Sequence, residues 1–258
     1  MECEGPLLSV RNLCCGYAGA PVLENVSFDV HAGELTVMLG QNGVGKTTLF
    51  KTILGLLPAI SGEVLLAGEP YAGTGPAARR IAYVPQAHTP AFPFTVAEIV
   101  LMGRTPRISA FSTPSDTDRE LVTKTLDELG LLHLAERPYT EVSGGERQLI
   151  LVARALVQEP DILVMDEPAA SLDIGNQAKL LRLLKDLTQK RALGVLMTTH
   201  NPDHALLVAD SVLLFSQGGC IHGSAADVLT EENLSHAYGT PVAIVGGAGE
   251  PASCTLRL

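Results

Sequence analysis

The sequence predicts an α/β fold in which a mostly parallel sheet is covered by helices on both faces. Strand-like and helix-like segments alternate along most of the chain, which is typical of parallel strands joined by helical crossovers. Several strand-like segments, such as Leu35–Leu39 and Ile162–Met165, are apolar throughout, as expected of strands buried on both faces. The composition, 46% hydrophobic and 18% charged over 258 residues, indicates a globular chain that can bury a large core.

Strand-like segments dominate the first third of the chain. They are Leu7–Val10, Val22–Val30, Leu35–Leu39, Glu63–Ala67 and Ile81–Val84. After the third of them, apolar residues recur at helical spacing, and Pro58 follows. We therefore expect a helix over Lys46–Leu57 that ends before the proline.

The middle of the chain changes to a helical pattern, from Thr95 to Gly130. Thr95 is a good N-cap for a helix over Val96–Met102, and a second helix is predicted near Asp116–Leu129. This region is interpreted as a helical insertion between two sheet-forming halves. The later elements are a helix near Glu146–Val157, a strand at Ile162–Met165, a helix near Asn176–Gln189, a strand at Gly194–Thr198, a helix from Pro202, a strand at Val212–Phe215 and two short terminal helices.

Charge and hydropathy exclude several classes of partner. Lys and Arg number 18 against 28 Asp and Glu, so the net charge is −10 at pH 7 and nucleic acid backbones are repelled. No stretch reaches the roughly 20 apolar residues of a membrane-spanning helix, and the first residues lack the positive charge of an export signal. The five cysteines contain no C-x-x-C pair, which argues against zinc or a disulfide framework. We expect a cytoplasmic protein without a nucleic acid partner.

The segment Gly40–Thr47 matches the phosphate-loop pattern G-x-x-x-x-G-K-[ST], and it lies between an apolar strand and a helix as that pattern requires. Glycines let successive backbone N–H groups face a phosphate, and the helix N-terminus adds positive potential. Lys46 is expected to reach the β and γ phosphates, and the Thr47 hydroxyl to ligate Mg²⁺. The predicted nucleotide contacts here are Gly40, Gln41, Asn42, Gly43, Val44, Gly45, Lys46, Thr47 and Thr48.

Two carboxylates, Asp166 and Glu167, end the apolar strand Ile162–Met165. Such a pair, taken alone, is more often the start of a solvated loop, but a phosphate loop earlier in the chain favours a catalytic interpretation. Asp166 is then expected to hold Mg²⁺. Glu167 is expected to orient and deprotonate the attacking water.

The run Val142-Ser-Gly-Gly-Glu-Arg-Gln148 precedes a helix, so Ser143 is a plausible N-cap and the two glycines leave backbone N–H groups bare. The phosphate loop, this run and the Asp-Glu pair, in that order, resemble the ATP-binding subunit of an ABC transporter. Val142 and Glu146 depart mildly from the usual Leu and Gln of the signature. The resemblance implies that the signature contacts nucleotide, at Ser143, Gly144, Gly145 and Glu146.

The resemblance also implies an architecture. It predicts a P-loop NTPase (RecA-like) core, an antiparallel β subdomain and an inserted helical subdomain. A single ATPase domain is expected over 6–245, with the core at 6–90 and 158–245, the helical lobe at 91–157 and a C-terminal tail at 246–258.

Further site residues come from the resemblance alone. Tyr17 is expected to stack on adenine, although a lone Tyr at a strand end is otherwise a core or surface residue without a specific role. Gln86 is expected to touch Mg²⁺ and the attacking water and to link to the membrane subunits. Asp173, in Ser171-Leu-Asp173, is expected to lie in a loop that contacts the second copy of the dimer and to belong to the nucleotide-binding residues. His200 is the expected γ-phosphate contact.

The function implied is that of an ATP-hydrolysing motor of an importer. Similarity in Thr95–Pro106, Asp227–Leu234 and Tyr238–Val242 favours the group that imports iron-siderophore, haem, cobalamin or related metal chelates. We expect ATP and Mg²⁺ to bind, two copies to close head to tail, and integral-membrane permease subunits to hold the dimer at the cytoplasmic face of the membrane. A substrate-binding protein is an indirect partner. The alternatives are a soluble ATPase of iron-sulfur cluster assembly, an importer of another substrate, and a nucleotide-binding regulator.

An apolar cluster next to Gln86 has two interpretations. Ala91, Phe92 and Phe94 flank Pro93, before the helix that Thr95 caps. The cluster either forms the docking surface for the permease or joins the helical lobe to the core, and the sequence does not separate the two.

Overall fold

The computed structural model describes residues 5–17, 20–85, 94–109, 112–216, 219–247 and 250–257. The strands are β1 (Leu8–Tyr17), β2 (Ala20–Val30), β3 (Leu35–Leu39), β4 (Ser61–Leu66), β5 (Glu69–Pro70), β6 (Ile81–Val84), β7 (Ile162–Met165), β8 (Gly194–Thr199), β9 (Ser211–Ser216), β10 (Gly219–Ser224), β11 (Val242–Gly247) and β12 (Glu250–Leu256). The helices are α1 (Lys46–Ile53), α2 (Val96–Leu101), α3 (Asp116–Glu128), α4 (Gly144–Leu156), α5 (Ile174–Arg191), α6 (Pro202–Val208), α7 (Ala225–Val228) and α8 (Glu231–Tyr238).

The central sheet has the strand order β10-β9-β3-β8-β7-β6. The strands from β9 to β6 run parallel, and β10 pairs antiparallel with β9. Successive side chains of β3 face opposite sides: Val37 shares a core with Leu184 of α5, and Met38 shares another with Phe50 of α1. The predicted parallel sheet, covered on both faces, is confirmed.

A second, antiparallel sheet has the order β2-β1-β4-β5. Its strand β1 pairs with β2 on one side and with β4 on the other. Apolar side chains of these strands, including Leu8 and Val26, pack in the same core as α1. The β subdomain therefore covers the face of the central sheet on which α1 lies.

The segment between β6 and β7 is helical and has its own core, which includes Val96, Leu126 and Ile150. A short 3₁₀ segment, Met102–Arg107, joins α2 to the chain that leads to α3. Arg104 of that segment donates to Asp118 at 2.7 Å and to the backbone carbonyl of Val157 at 2.6 Å. This one side chain therefore ties the start of α3 to the end of α4.

Several element predictions were wrong, among them the end of β1, which runs to Tyr17 and not to Val10, the end of α1 and the end of the chain. The helix α1 ends at Ile53 and not at Leu57, because Gly55 turns the chain with a φ of 70° and packs its backbone against Gly73. The chain does not end in two short helices, since the hairpin β11–β12 follows α8 and pairs Val242 with Leu256. That hairpin crosses position 245, and the division of the chain there stays a prediction.

Candidate functional site

The carboxyl ends of three neighbouring parallel strands meet at one edge of the central sheet. The phosphate loop follows β3, the Asp166–Glu167 pair follows β7, and His200 follows β8. A cleft of about 550 Å³ opens at this edge, where α/β sheets commonly bind ligands. It is lined by Tyr17, Val22, Asn42, Gly43, Gly45, Lys46, Thr47, Thr48, Asp166 and Glu167. The cleft lining thus includes six of the nine predicted phosphate-loop contacts, together with Tyr17 from β1, Asp166 and Glu167.

The phosphate loop is held by contacts within its own segment. Gly45 is the N-cap of α1 and has a φ of 107°; a Cβ there would lie 2.8 Å from the Leu23 side chain. Lys46 turns back over the loop, and its Nζ donates to the carbonyls of Gly40 at 2.6 Å and Gln41 at 2.9 Å. The turn and the position of the Lys46 ammonium are therefore fixed by groups of the same loop.

Lys46 is buried, and its surroundings change the pKa of its ammonium group. Its side chain lies in the cleft wall and the residue is only 6% exposed. Desolvation lowers the pKa of the Lys46 ammonium, while the carboxylates of Glu167 and Asp166 act in the opposite direction. The cation and the two acids therefore face the same space.

A hydroxyl on β8 orients both acids. Thr198 Oγ1 donates to Asp166 Oδ1 at 2.7 Å and accepts from the backbone N–H of Glu167 at 2.8 Å. Glu167 itself has a φ of 44°, a left-handed conformation that is uncommon for a side chain of this kind. Sequence reasoning missed Thr198, whose signal is the pair of threonines that ends an otherwise apolar strand.

His200 lies against the predicted base. Its Nδ1 is 3.1 Å from Glu167 Oε1, and its side chain is 49% exposed. The backbone carbonyl of His200 accepts a hydrogen bond of 2.8 Å from the hydroxyl of Tyr238, at the end of α8. The same helix contacts the phosphate loop, since Gln41 Nε2 donates to the carbonyl of Ala237 at 3.1 Å. Sequence reasoning missed this role of α8.

The signature run forms the start of α4, away from the cleft. Ser143 and Glu146 make a capping box in which the Ser143 N–H and hydroxyl each donate to Glu146 Oε2 at 2.7 Å. These hydrogen bonds lower the pKa of Glu146. Gly145 packs against Asn176, which bonds Asp173 at the start of α5. The described residues that line the cleft include neither the signature nor Asp173.

Two sequence predictions fall on residues outside those that the structure describes. Gln86 is one, and the run Ala91, Phe92 and Pro93 is the other. A cavity of about 660 Å³ lies between the end of β6 and the helical segment. It is lined by Tyr83, Pro85, Met102, Gly103, Thr105, Pro106, Leu151, Arg154, Ala155 and Gln158.

Comparison with known proteins decides the family. The family described as ABC transporter matches residues 23–170, more than half of the chain, with the phosphate loop, the signature and the Asp166–Glu167 pair inside the match. The chain belongs to the ABC transporter family. This ABC ATPase therefore has the P-loop NTPase fold, binds ATP and hydrolyses it. ATP-binding subunits of ABC importers dimerise and work with membrane permease components.

Relatives of this ABC ATPase include importer subunits over most of its length. The "Molybdate import ATP-binding protein MolC" of Haemophilus influenzae is 38% identical, over 91% of this chain and 89% of that protein. The "Hemin import ATP-binding protein HmuV" of Burkholderia ambifaria is 36% identical, over 89% of this chain and 92% of that protein. A solved metal-chelate type ABC transporter in an inward-facing conformation is 34% identical, covers 98% of both chains and has a TM-score of 0.88.

Proposed function

We propose that this ABC ATPase is the motor subunit of an importer that carries a metal chelate such as iron-siderophore, haem or cobalamin. The observation that carries the proposal is the match along 98% of both chains to a metal-chelate type transporter. That match extends past the residues common to the family, 23–170, into the terminal helices and hairpin. The 36% identity to a hemin importer subunit supports the same cargo class.

The cleft residues fit Mg²⁺ and ATP. Thr47 supplies a hydroxyl and Asp166 a carboxylate, and such hard oxygen ligands are the ones that Mg²⁺ prefers. Lys46 faces the β and γ phosphates, and Tyr17 offers its ring to adenine. Mg²⁺, when bound, neutralises charge on the phosphate oxygens. Gln86 stays a proposed third contact to the metal and the water.

Glu167 is the proposed general base. Its carboxylate accepts the proton of the water that attacks the γ phosphate, and His200 holds that carboxylate through the 3.1 Å contact of Nδ1. The hydroxyl of Thr198 keeps Asp166 and Glu167 in a fixed relation. Asp166 and Glu167 are thus placed by two adjoining strand ends, those of β7 and β8.

Two copies of the chain complete each site in the proposed assembly. The signature residues and Asp173 lie outside the cleft of their own chain, so a second copy, placed head to tail, is proposed to present them to the nucleotide. A mixed dimer of one Lys46→Ala chain and one Ser143→Arg chain then contains one intact site. We expect it to regain ATPase activity that neither variant shows alone, and no recovery in verified mixed dimers would contradict shared sites that act singly.

The 660 Å³ cavity beside Pro85 is the proposed docking surface for the permease. No helix in the described part of the chain is long and apolar enough to cross a membrane, and a net charge of −10 opposes binding to anionic lipids. Attachment at the cytoplasmic face is therefore proposed to be protein-mediated. Met102→Asp in the cavity should abolish co-purification with the cognate permease. Leu132→Asp, at an exposed apolar position elsewhere, should leave it intact.

Reconstituted transport tests the cargo. The chain, its permease and its binding protein are placed in proteoliposomes, and uptake of iron-siderophore, haem, cobalamin and molybdate is measured with ATP. We expect uptake of one chelate, dependent on Glu167. Uptake of molybdate alone would contradict the chelate class. ATPase activity stimulated by an iron-sulfur scaffold, and not by any permease, would favour the cluster-assembly alternative.

A further inference from the structure

A second histidine, His204, lies just beyond His200 and has no role in the chemistry described so far. It belongs to α6, is 8% exposed, and both of its ring nitrogens are hydrogen-bonded. Nδ1 is 3.1 Å from the hydroxyl of Thr199, and Nε2 is 3.2 Å from Oε1 of Gln177, on α5. A buried histidine with two side-chain partners from two different elements is a rigid contact.

The direction of the contact between His204 and Gln177 follows from the amide. Gln177 Nε2 donates to the carbonyls of Ala169 at 3.2 Å and Leu172 at 2.9 Å. Its Oε1 is therefore the atom that faces His204, and an amide oxygen only accepts. His204 Nε2 must carry the proton.

The other ring nitrogen is then an acceptor. Thr199 Oγ1 accepts from the backbone N–H of Asn201 at 3.1 Å and has its own proton free to donate to His204 Nδ1. Every partner is satisfied with a neutral ring, and burial also lowers the pKa of His204. The titratable groups that face it, Asp203, His200 and Glu167, do not reverse that direction.

These bonds join two loops of the site. Thr199 and Asn201 bracket His200, and Ala169 and Leu172 lie in the loop that runs from Glu167 to Asp173. A cavity of only about 70 Å³ separates the two loops, with Glu167 and His200 on its wall beside His204 and Gln177. Both catalytic candidates therefore sit on loops that the same side-chain pair connects.

We propose that His204 and Gln177 are positioning residues for ATP hydrolysis, which fix the His200 loop against the loop 167–173. Neither lines the nucleotide cleft, so neither touches ATP. Their contact sets the separation at which His200 meets Glu167, and it continues to Asp173 at the proposed dimer face. The inference rests on the proposed roles of Glu167 and His200.

The test is steady-state ATPase kinetics on His204→Leu, Gln177→Leu, the double variant and His204→Gln. We expect each Leu variant to lower kcat about tenfold and to leave KM for ATP within about twofold, because only the reacting geometry changes. The double variant should be no slower than the slower single variant, since both break one contact. His204→Gln should recover most of the activity, because its amide can donate to Gln177.

A matched control is His222→Leu. His222 Nε2 also shares a hydrogen bond with a hydroxyl, that of Ser211 at 2.9 Å, but on the edge strand β10. Its kcat should equal that of the wild type. The melting temperatures of the control and of the Gln177→Leu variant are also compared. If they are equal, a lower kcat in Gln177→Leu reflects lost positioning and not lost stability.

Three results would overturn the inference. They are a kcat within twofold of wild type in folded Leu variants, additive losses in the double variant, and a His204→Gln variant as slow as His204→Leu. Should His204→Leu fail to fold, a Gln177→Leu variant that keeps kcat also overturns it. A different result would refute the proposed function itself: a wild-type chain whose ATPase activity is absent or does not depend on Glu167.

Discussion

The two halves of the nucleotide cleft are held in different ways. Lys46 bonds to carbonyls five and six residues earlier in its own loop. Glu167, in contrast, is held by Thr198 and His200, which lie 31 and 33 residues further along the chain. The half of the cleft formed by the phosphate loop, Gly40–Thr48, is here called the phosphate half. It needs only a strand, a turn and a helix. The acidic half consists of Asp166 and Glu167 with the residues that hold them, Thr198 and His200. It forms only where β7 and β8 pair in the correct register, so the two halves should respond differently to mutation.

The largest difference should come from Glu167→Gln. Removal of the base should lower kcat by about 10²–10⁴-fold, because general base catalysis contributes that much. The phosphate half is untouched, so ATP affinity measured by equilibrium binding should stay near the wild-type value. The variant should also trap a closed dimer with ATP, visible by size-exclusion chromatography. Near wild-type turnover would show that Glu167 is not the base.

Lys46→Ala should show the opposite pattern. A hydrogen bond to a charged group contributes about 1.5–3 kcal/mol, so loss of the ammonium should weaken ATP binding by about 10–150-fold. Titration calorimetry measures the affinity directly. An unchanged Kd for ATP would mean that the phosphate half of the cleft does not hold the phosphates.

Thr198→Val tests whether the acidic half depends on the neighbouring strand. The valine keeps the shape but leaves the Glu167 N–H without its acceptor and Asp166 without its donor, at a cost of about 1–3 kcal/mol for such a group. We expect kcat to fall about tenfold or more with Kd for ATP unchanged. Thr188→Val is the matched control, since that buried hydroxyl bonds Lys185 within α5, and it should keep full activity.

Tyr238→Phe removes a single neutral hydrogen bond to the backbone of His200. A bond of this kind contributes about 0.5–1.5 kcal/mol, so kcat should fall about two- to tenfold. The ring remains and the fold should be preserved, which a circular dichroism melt can verify. If kcat does not change, α8 does not support the acidic half.

The contact of Arg104 with Asp118 gives a case outside the cleft. Hydrogen bonds from Ser115 and Arg104 lower the pKa of Asp118 to about 2. This folded-state value is below the unfolded one, so the contact stabilises the fold above about pH 4 and loses that effect as the pH falls toward 2. Asp118→Asn should lower the free energy of unfolding at pH 7 and the difference should shrink at acid pH, as urea denaturation would show. The kcat should change least here.

The phosphate half of the cleft could be predicted from the sequence almost completely. A turn between an apolar strand and a helix can be seen in eight consecutive residues, Gly40–Thr47, because each contact in it spans few residues. The Asp166–Glu167 pair was also assigned, from its place at a strand end. The family match confirms the class of protein that these motifs predicted.

The contacts that join separate segments could not be predicted in the same way. Thr198, Tyr238 and the pair His204–Gln177 act through partners 27 or more residues away. Nothing in the local pattern shows which strand lies beside which, or which face of α8 meets the site. The terminal hairpin was missed for a similar reason, since Gly246 and its neighbours have the composition of a tail while the pairing of Val242 with Leu256 depends on the fold.

The left-handed backbone at Glu167 has a consequence for laboratory evolution. A φ of 44° suits Asn or Gly better than Glu, and a residue held there costs of the order of 1–3 kcal/mol. A selection that scores heat resistance alone would therefore reward replacement of the residue that we propose as the base for ATP hydrolysis. Inactive variants at this position are poor stability references, and a thermostabilised library of this chain needs a parallel screen for turnover.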